Sequence, residues 1–228
     1  GQVAGQGAHR LGALAVNGTD INVGTVLDSL QLDATGSLQN LQVEGKAHNA
    51  MGAIALSGSA QQRGNNWQGT LDTLRLSVAR GTDWTLQQPA RFAQQGSNWT
   101  LSQTCLGAAG GGSLCANANW PGKGVEIQGD ALPLTLLQPW LPHVDNREML
   151  LRGAIDLDGR VRPAGNRWQG NLDVTSSEGG LRLGTASRRE LASYKTLVLN
   201  IVFDPQRVQA KLGSDLSGNG RVDAQITT

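Results

Sequence analysis

The sequence predicts an all-β protein, an elongated antiparallel sheet of long amphipathic strands. Three observations predict it. Apolar and polar residues alternate with period two over many stretches. Turn signals built from Gly, Asn, Ser and Pro separate those stretches. One stretch occurs twice: Gly64-Asn65-Asn66-Trp67-Gln68-Gly69-Thr70-Leu71-Asp72 returns as Gly165-Asn166-Arg167-Trp168-Gln169-Gly170-Asn171-Leu172-Asp173, offset by 101 positions. Leu56-Ser57-Gly58 matches Leu157-Asp158-Gly159 at the same offset. A repeat that joins two strand patterns through a turn marks growth by addition of similar β units. Such units stack because none buries its apolar face alone.

The elements follow in chain order. Gly1 to Gly7 opens in a glycine-rich, strand-like pattern, and Asn17-Gly18-Thr19-Asp20 reads as the first turn. Leu41, Val43, Gly45 and Ala47 oppose Gln42, Glu44 and Lys46 on a strand with one apolar face. Turns are expected at Arg63-Gly64-Asn65-Asn66, Gln95-Gly96-Ser97-Asn98 and Pro121-Gly122-Lys123-Gly124. Val125, Ile127 and Gly129 then oppose Glu126, Gln128 and Asp130. The segment from Leu132 to Pro142 carries three prolines among dense apolar residues. Proline is poorly tolerated in central strands, so this reads as a short helix or extended crossover, at about 132–146, packed on the apolar face.

The clearest strand follows, with Leu151, Gly153, Ile155, Leu157, Gly159 and Val161 on one face and Arg152, Ala154, Asp156, Asp158, Arg160 and Arg162, nearly all polar, on the other. After the turn Pro163-Ala164-Gly165-Asn166, Trp168, Gly170, Leu172 and Val174 oppose Gln169, Asn171, Asp173 and Thr175. Ser187 and Glu190 have capping-box spacing, which predicts one or two helical turns at about 187–194. Leu197, Leu199, Ile201 and Phe203 resume a strand, and Ser217-Gly218-Asn219-Gly220 is the last turn. Strands with one apolar and one solvated face are the mark of antiparallel sheets. More than about ten of them must curl, split or close. No linker interrupts the chain, so residues 1–228 read as one continuous β segment of a longer chain.

Composition excludes several functions. The net charge is +1 with no basic cluster, which leaves nucleic acid no electrostatic footprint. No apolar run of about 18 residues is present to span a membrane as a helix. The three histidines, His9, His48 and His143, stand far apart in unrelated patterns, which argues against a metal or catalytic cluster. Asp156-Leu157-Asp158-Gly159 faintly resembles a calcium loop, but the third ligand and the downstream Glu are missing and the segment alternates as a strand. The glycines from 107 to 112 lack the Lys-Ser/Thr of a phosphate loop, and no Gly-x-Ser-x-Gly elbow occurs. No catalytic site, metal or cofactor is expected, and the chain is read as not an enzyme.

Cys105 and Cys115 are the only cysteines, and they flank a small-residue loop between two strand patterns. A hairpin would bring the sulfurs together as a disulfide, which implies an oxidising compartment, whereas two buried thiols are the other reading. Five of the tryptophans, Trp67, Trp84, Trp99, Trp120 and Trp168, sit near strand ends, where they cover sheet rims beside glycines, stack on a ligand or form a membrane-facing belt. The apolar faces are rows of Leu, Ile, Val, Ala and Gly, with two Phe and one Tyr in the whole chain. Two such faces interdigitate in a sandwich. A single curled sheet instead leaves a trough that calls for a partner, and lipid acyl chains suit small aliphatic walls.

Several of these segments carry a resemblance. Trp67-Gln68-Gly69-Thr70-Leu71, Asp83-Trp84-Thr85-Leu86, Pro89-Ala90, Cys105-Leu106 with Leu114-Cys115, and Leu132-Pro133-Leu134 followed by Pro139-Trp140-Leu141-Pro142 together resemble the periplasmic repeat region of the TamB family. The match is best over about residues 55–185 and implies an internal segment. The resemblance implies a long U-shaped sheet (a "β-taco") with an apolar concave face, in a protein anchored in the inner membrane outside this segment. It implies a periplasmic location, TamA, an outer-membrane barrel, as partner, and phospholipid movement between the two membranes. Assistance to outer-membrane protein assembly is the alternative role. The residues expected to line the groove are Leu151, Ile155, Leu157, Val161, Leu172, Val174, Leu197, Leu199 and Ile201. An adhesin-like β structure is a further reading, opposed by the absence of a short solenoid period.

Overall fold

A computed structural model describes residues 12–22, 26–79, 81–142, 144, 147–184 and 190–228. Among them the chain is all-β, with sixteen strands and one 3-10 helix. All the registered strand pairs are antiparallel, as the alternation requires. No helix among the described residues is long and apolar enough to cross a membrane. The chain divides into two compact units, one of residues 1–109 with 117–119, the other of 110–116 with 120–228.

In the first unit β1 (Gly12–Asn22), β2 (Val26–Ser37), β3 (Asn40–Asn49), β4 (Gly52–Arg63) and β5 (Asn66–Val78) form a meander in sequence order. The place beyond β5 is filled by two short strands, β6 (Trp84–Leu86) and β7 (Ala90–Gln95), which both pair with β5 and with β8 (Asn98–Ala108). Pro89 stands at the break, where its missing N–H would interrupt a ladder. After β9 (Ser113–Trp120), the second unit continues with β10 (Gly124–Pro133), the 3-10 helix Leu134–Trp140 and the long β11 (Met149–Ala164). It repeats the device: β12 (Arg167–Ser176) and β13 (Gly179–Leu183) share one place between β11 and β14 (Ala192–Phe203). The meander ends with β15 (Val208–Leu216) and β16 (Arg221–Thr227).

The hairpin turns explain the repeat. Arg63 pairs with Asn66, Gln95 with Asn98 and Ala164 with Arg167, so each loop has two residues, Gly64-Asn65, Gly96-Ser97 and Gly165-Asn166. The glycines have φ of 61°, 60° and 64°, and the residues after them stay at negative φ. That is the type II′ pattern, whose twist matches the flanking strands and which demands glycine at the first position.

Three expectations need correction or fall elsewhere. Asn17 to Asp20 is not a turn but lies inside β1, where Asn17, Gly18 and Thr19 pair with Gln31, Leu30 and Ser29 of β2. Gly1 to Gly7 lies outside the described residues. Of the helix expected at 187–194, residues 187–189 lie outside them too, and Ala192 to Tyr194 belong to β14. The Pro-rich segment forms the 3-10 helix, beginning directly after Pro133, which still pairs with Ala154. Cys105 and Cys115 are disulfide-bonded.

Candidate functional site

Directly paired residues of an antiparallel sheet point to the same face, so register converts the sequence pattern into rows. In the second unit one row runs Gly129, Leu157, Val174, Leu199, Leu212 and Ala224 from β10 to β16. The next runs Ile127, Gly159, Leu172, Ile201, Ala210 and Ile226, and beside it Val125, Val161, Gly170, Phe203 and Val208. Six of the nine expected residues, Leu157, Val161, Leu172, Val174, Leu199 and Ile201, stand in these three rows. Ile155 pairs with Leu132 and lies two residues from Leu157. Leu197 stands between Ser176 and Ser214. Both serines are buried, and their hydroxyls donate to the backbone carbonyls of Ala154 at 2.6 Å and Thr196 at 3.0 Å. The polar atoms are thus satisfied within the sheet and leave the face apolar.

Leu151 is the exception. Gly153, at φ 118°, separates it from the rows, and its partner is Leu181 of β13. It lines a hollow of about 350 Å³ with Thr135, Arg152, Gly180, Arg182 and Glu190. Sequence alternation alone could not show that β11 changes partner halfway along.

All nine residues are only half-buried. Among the described residues the well-buried apolar side chains are Trp84, Ala90 and Leu132, and no large side chain is fully enclosed. Leu132 reaches burial through a bulge. One extra residue stands between Gly129 and Leu132, Ala131 takes φ 49°, and the Ala131 N–H donates to the Asp156 carboxylate at 2.8 Å. Leu132 then folds over Gly129: a Cβ on that glycine would meet its Cδ1 at 2.5 Å.

The first unit carries the same kind of face, which the sequence-based site selection missed. Leu30, Ala47, Ile54, Leu76 and Trp84 form one row, and Leu32, Gly45, Leu56 and Leu74 another. Ala34, Val43, Gly58, Leu71 and Ala90 form a third. The signal was present in the 101-residue offset, which maps Gly58 onto Gly159 and Leu71 onto Leu172.

The repeat also places the only two phenylalanines. Gly69 pairs with Phe92, and Gly170 with Phe203. A Cβ on Gly69 would meet the Ser59 carbonyl oxygen at 2.2 Å and the Phe92 ring at 2.6 Å. A Cβ on Gly170 would meet the Arg160 carbonyl oxygen at 2.1 Å and the Phe203 ring at 2.9 Å. Each ring therefore lies over a glycine and fills the notch that the missing side chain leaves, the aromatic rescue known from sheets. The tryptophans divide. Trp84 is buried at 5% exposure and belongs to the packing, not the rim. Trp168 is 55% exposed at the hairpin end of β12, where its ring meets Trp120 at a centroid distance of 4.5 Å.

The opposite face of the second unit is polar and internally bonded. Gln128 donates to Asp158 at 3.2 Å, Asn171 to Asp173 at 3.0 Å, and Asn200 to Asp173 at 2.6 Å, while Arg160 pairs with Glu126. The carboxylates of the expected calcium-like stretch are thus used by strand neighbours. Arg152 donates to Glu190 at 2.7 Å and 3.3 Å, which holds the Glu190 carboxyl below its ordinary value and raises Arg152. The hydrogen bond from Arg75 lowers Asp83 in the same way. His48 stands 3.6 Å from Asp28, both exposed, and His9 and His143 lie outside the described residues. No group of three metal-ligating side chains occurs among the described residues.

Fold and surface together define a class: an antiparallel β protein in which each unit carries rows of apolar residues that its own side chains leave half-covered. Within that class the chain belongs to the TamB family. The sequence model described as TamB, N-terminal domain, matches residues 1–228. No curated protein matches the chain, and no solved structure does.

Proposed function

We propose that this chain is a section of a periplasmic conduit that moves phospholipid between the inner and outer membranes, with acyl tails lying along the apolar rows. The observation that carries the reading is the half-burial of those rows. A β-sandwich of this size would enclose many large side chains, whereas here none is fully enclosed among the described residues. Apolar rows left half-covered within each unit call for a partner. TamB family membership supports a role in the translocation and assembly module, with the outer-membrane barrel TamA as partner and an inner-membrane anchor elsewhere in the protein. The apolar rows supply a nonspecific surface, so no catalytic residue is required.

Leu199→Glu and Ile155→Glu test this in the full chain. A carboxylate within the Leu199 row, or beside that row at Ile155, is expected to abolish phospholipid transfer between vesicles. Normal transfer by correctly folded variants would sink the reading. A photocrosslinker at Leu157 should capture phospholipid in cells. Capture of nascent outer-membrane barrel proteins instead of lipid favours a scaffold that assists their assembly by strand addition.

A further inference from the structure

The two ends of the strands in the second unit differ in chemistry. At one end lie three turns: Trp120 to Gly124, the β11–β12 hairpin, and Asp204 to Arg207 between β14 and β15. They stand together, because Trp120 meets Trp168 and the Arg167 guanidinium donates to the Pro205 carbonyl oxygen. These turns present Lys123, Arg167 and Arg207, and none of the three forms a salt bridge with a carboxylate among the described residues. Asp204 is the one carboxylate in these stretches, and it accepts the backbone N–H groups of Gln206 at 2.8 Å and Arg207 at 3.0 Å. At the opposite strand ends carboxylates accompany most of the cations: Arg152 is held by Glu190 and Glu178, Arg221 by Asp215 and Asp223, and Arg182 lies close enough to Glu190 to lower its carboxyl, while Lys195 forms no salt bridge among the described residues.

Position adds to charge. Trp168 pairs with Pro163 in the row next to Val161 and Gly170, so its indole is the last member of the apolar face before the basic turns. An amphipathic indole suits a boundary between an apolar and a wet region. Beyond it, guanidinium and ammonium groups offer donors that match phosphate oxygens.

We infer that this rim, with Trp120 and Trp168 at its inner margin and Lys123, Arg167 and Arg207 outside, is the rail along which phospholipid head groups lie. The acyl chains turn inward over Trp168 onto the Val161 and Leu172 rows, and the phosphodiester lies beyond the strand ends, bordered by Lys123 and Arg207 in their turns and by Arg167, whose side chain starts from the opposite face beside Ala164. The inference rests on the lipid reading above and adds to it a side and an orientation. It also gives the conduit a preference for lipids that carry phosphate.

The test compares two fluorescent lipids with the same acyl chains, phosphatidylglycerol and the matching diacylglycerol, which lacks phosphate. The full chain is incubated with vesicles carrying either one, and captured lipid is measured after separation. The variant replaces Lys123, Arg167 and Arg207 together with Gln. Exposed ion pairs contribute roughly twofold each, so capture of phosphatidylglycerol is expected to fall about tenfold. Diacylglycerol capture should stay unchanged, which also reports that the variant is folded. An equal fall for both lipids, or for neither, overturns the rail while the apolar reading stands. Capture of neither lipid by the wild type, with or without binding to the vesicle surface, overturns both.

Discussion

The pairing of Phe203 with Gly170 makes a quantitative prediction. In Gly170→Ala the new Cβ would lie 2.1 Å from the Arg160 carbonyl oxygen and 2.9 Å from the Phe203 ring. The carbonyl is fixed in the sheet, whereas the ring can swing away. Overpacking of this kind costs about 1–3 kcal/mol, and two simultaneous collisions place this variant near about 3 kcal/mol. Phe203→Ala removes a half-buried ring, so it should cost about 2 kcal/mol, below the roughly 3–5 kcal/mol of a fully buried one. The two changes share one contact. The double variant is therefore expected to be about 1 kcal/mol more stable than the sum of the single effects. Urea unfolding of the four proteins measures this, with amide exchange in β12 and β14 reporting the local opening directly. Additivity within about 0.3 kcal/mol would show that the ring does not rest on the glycine and would refute the argument. The cycle at Gly69 and Phe92 should give the same sign.

Three further outcomes are expected. Replacing Cys105 and Cys115 with Ser should lower stability by about 3 kcal/mol, the loop-closure value for a short loop, as read by denaturant midpoint against the oxidised protein. The Glu190 carboxyl is held below its ordinary value by Arg152, so its contribution is full above the unfolded glutamate range and is lost as pH falls through the lowered folded value. Glu190→Gln should flatten the fall in Tm between about pH 5 and about pH 3, and an unchanged slope would remove this carboxylate from the acid response. Gly165→Ala keeps open space around the new methyl but forces φ 64° on an L residue, so a loss of about 1 kcal/mol is expected, and a neutral result would contradict the assigned turn.

Much of the sheet could be read from residues alone, because alternation in a two-faced strand is a direct projection of burial. The strands around Leu41 to Ala47, Val125 to Gly129, Leu151 to Val161 and Trp168 to Val174 all stand where alternation placed them. Asn17-Gly18 misled because its composition is that of a turn, while continuous pairing with β2 keeps it extended. Eight of the nine expected face residues lie on or directly beside the apolar rows. Leu151 does not, since partner exchange at Gly153 depends on contacts distant in sequence. The roles of Phe92 and Phe203 were hidden for the same reason: each explains a glycine in another strand. Trp84 carried the same strand-end signature as Trp99, yet it is buried opposite Leu76, and only the pairing distinguishes them.

The first copy of the repeat contains a bulge that the second lacks. Ser57 pairs with Thr73 and Gly58 with Leu71, which leaves Asp72 unpaired, whereas Asp158 and Gly159 pair with Asp173 and Leu172 in succession. Past that point the aligned positions face opposite ways: Thr73 stands with Ser57 on the polar side, and its counterpart Val174 stands with Leu157 on the apolar side. Ancestry and facing therefore part company within a single strand. A chain that lengthens by copying hairpins preserves its facing only when it inherits an even number of residues, and one unpaired residue is enough to absorb an odd one. The bulge at Asp72 is thus the place where this strand takes up one extra residue without turning its apolar side to the water.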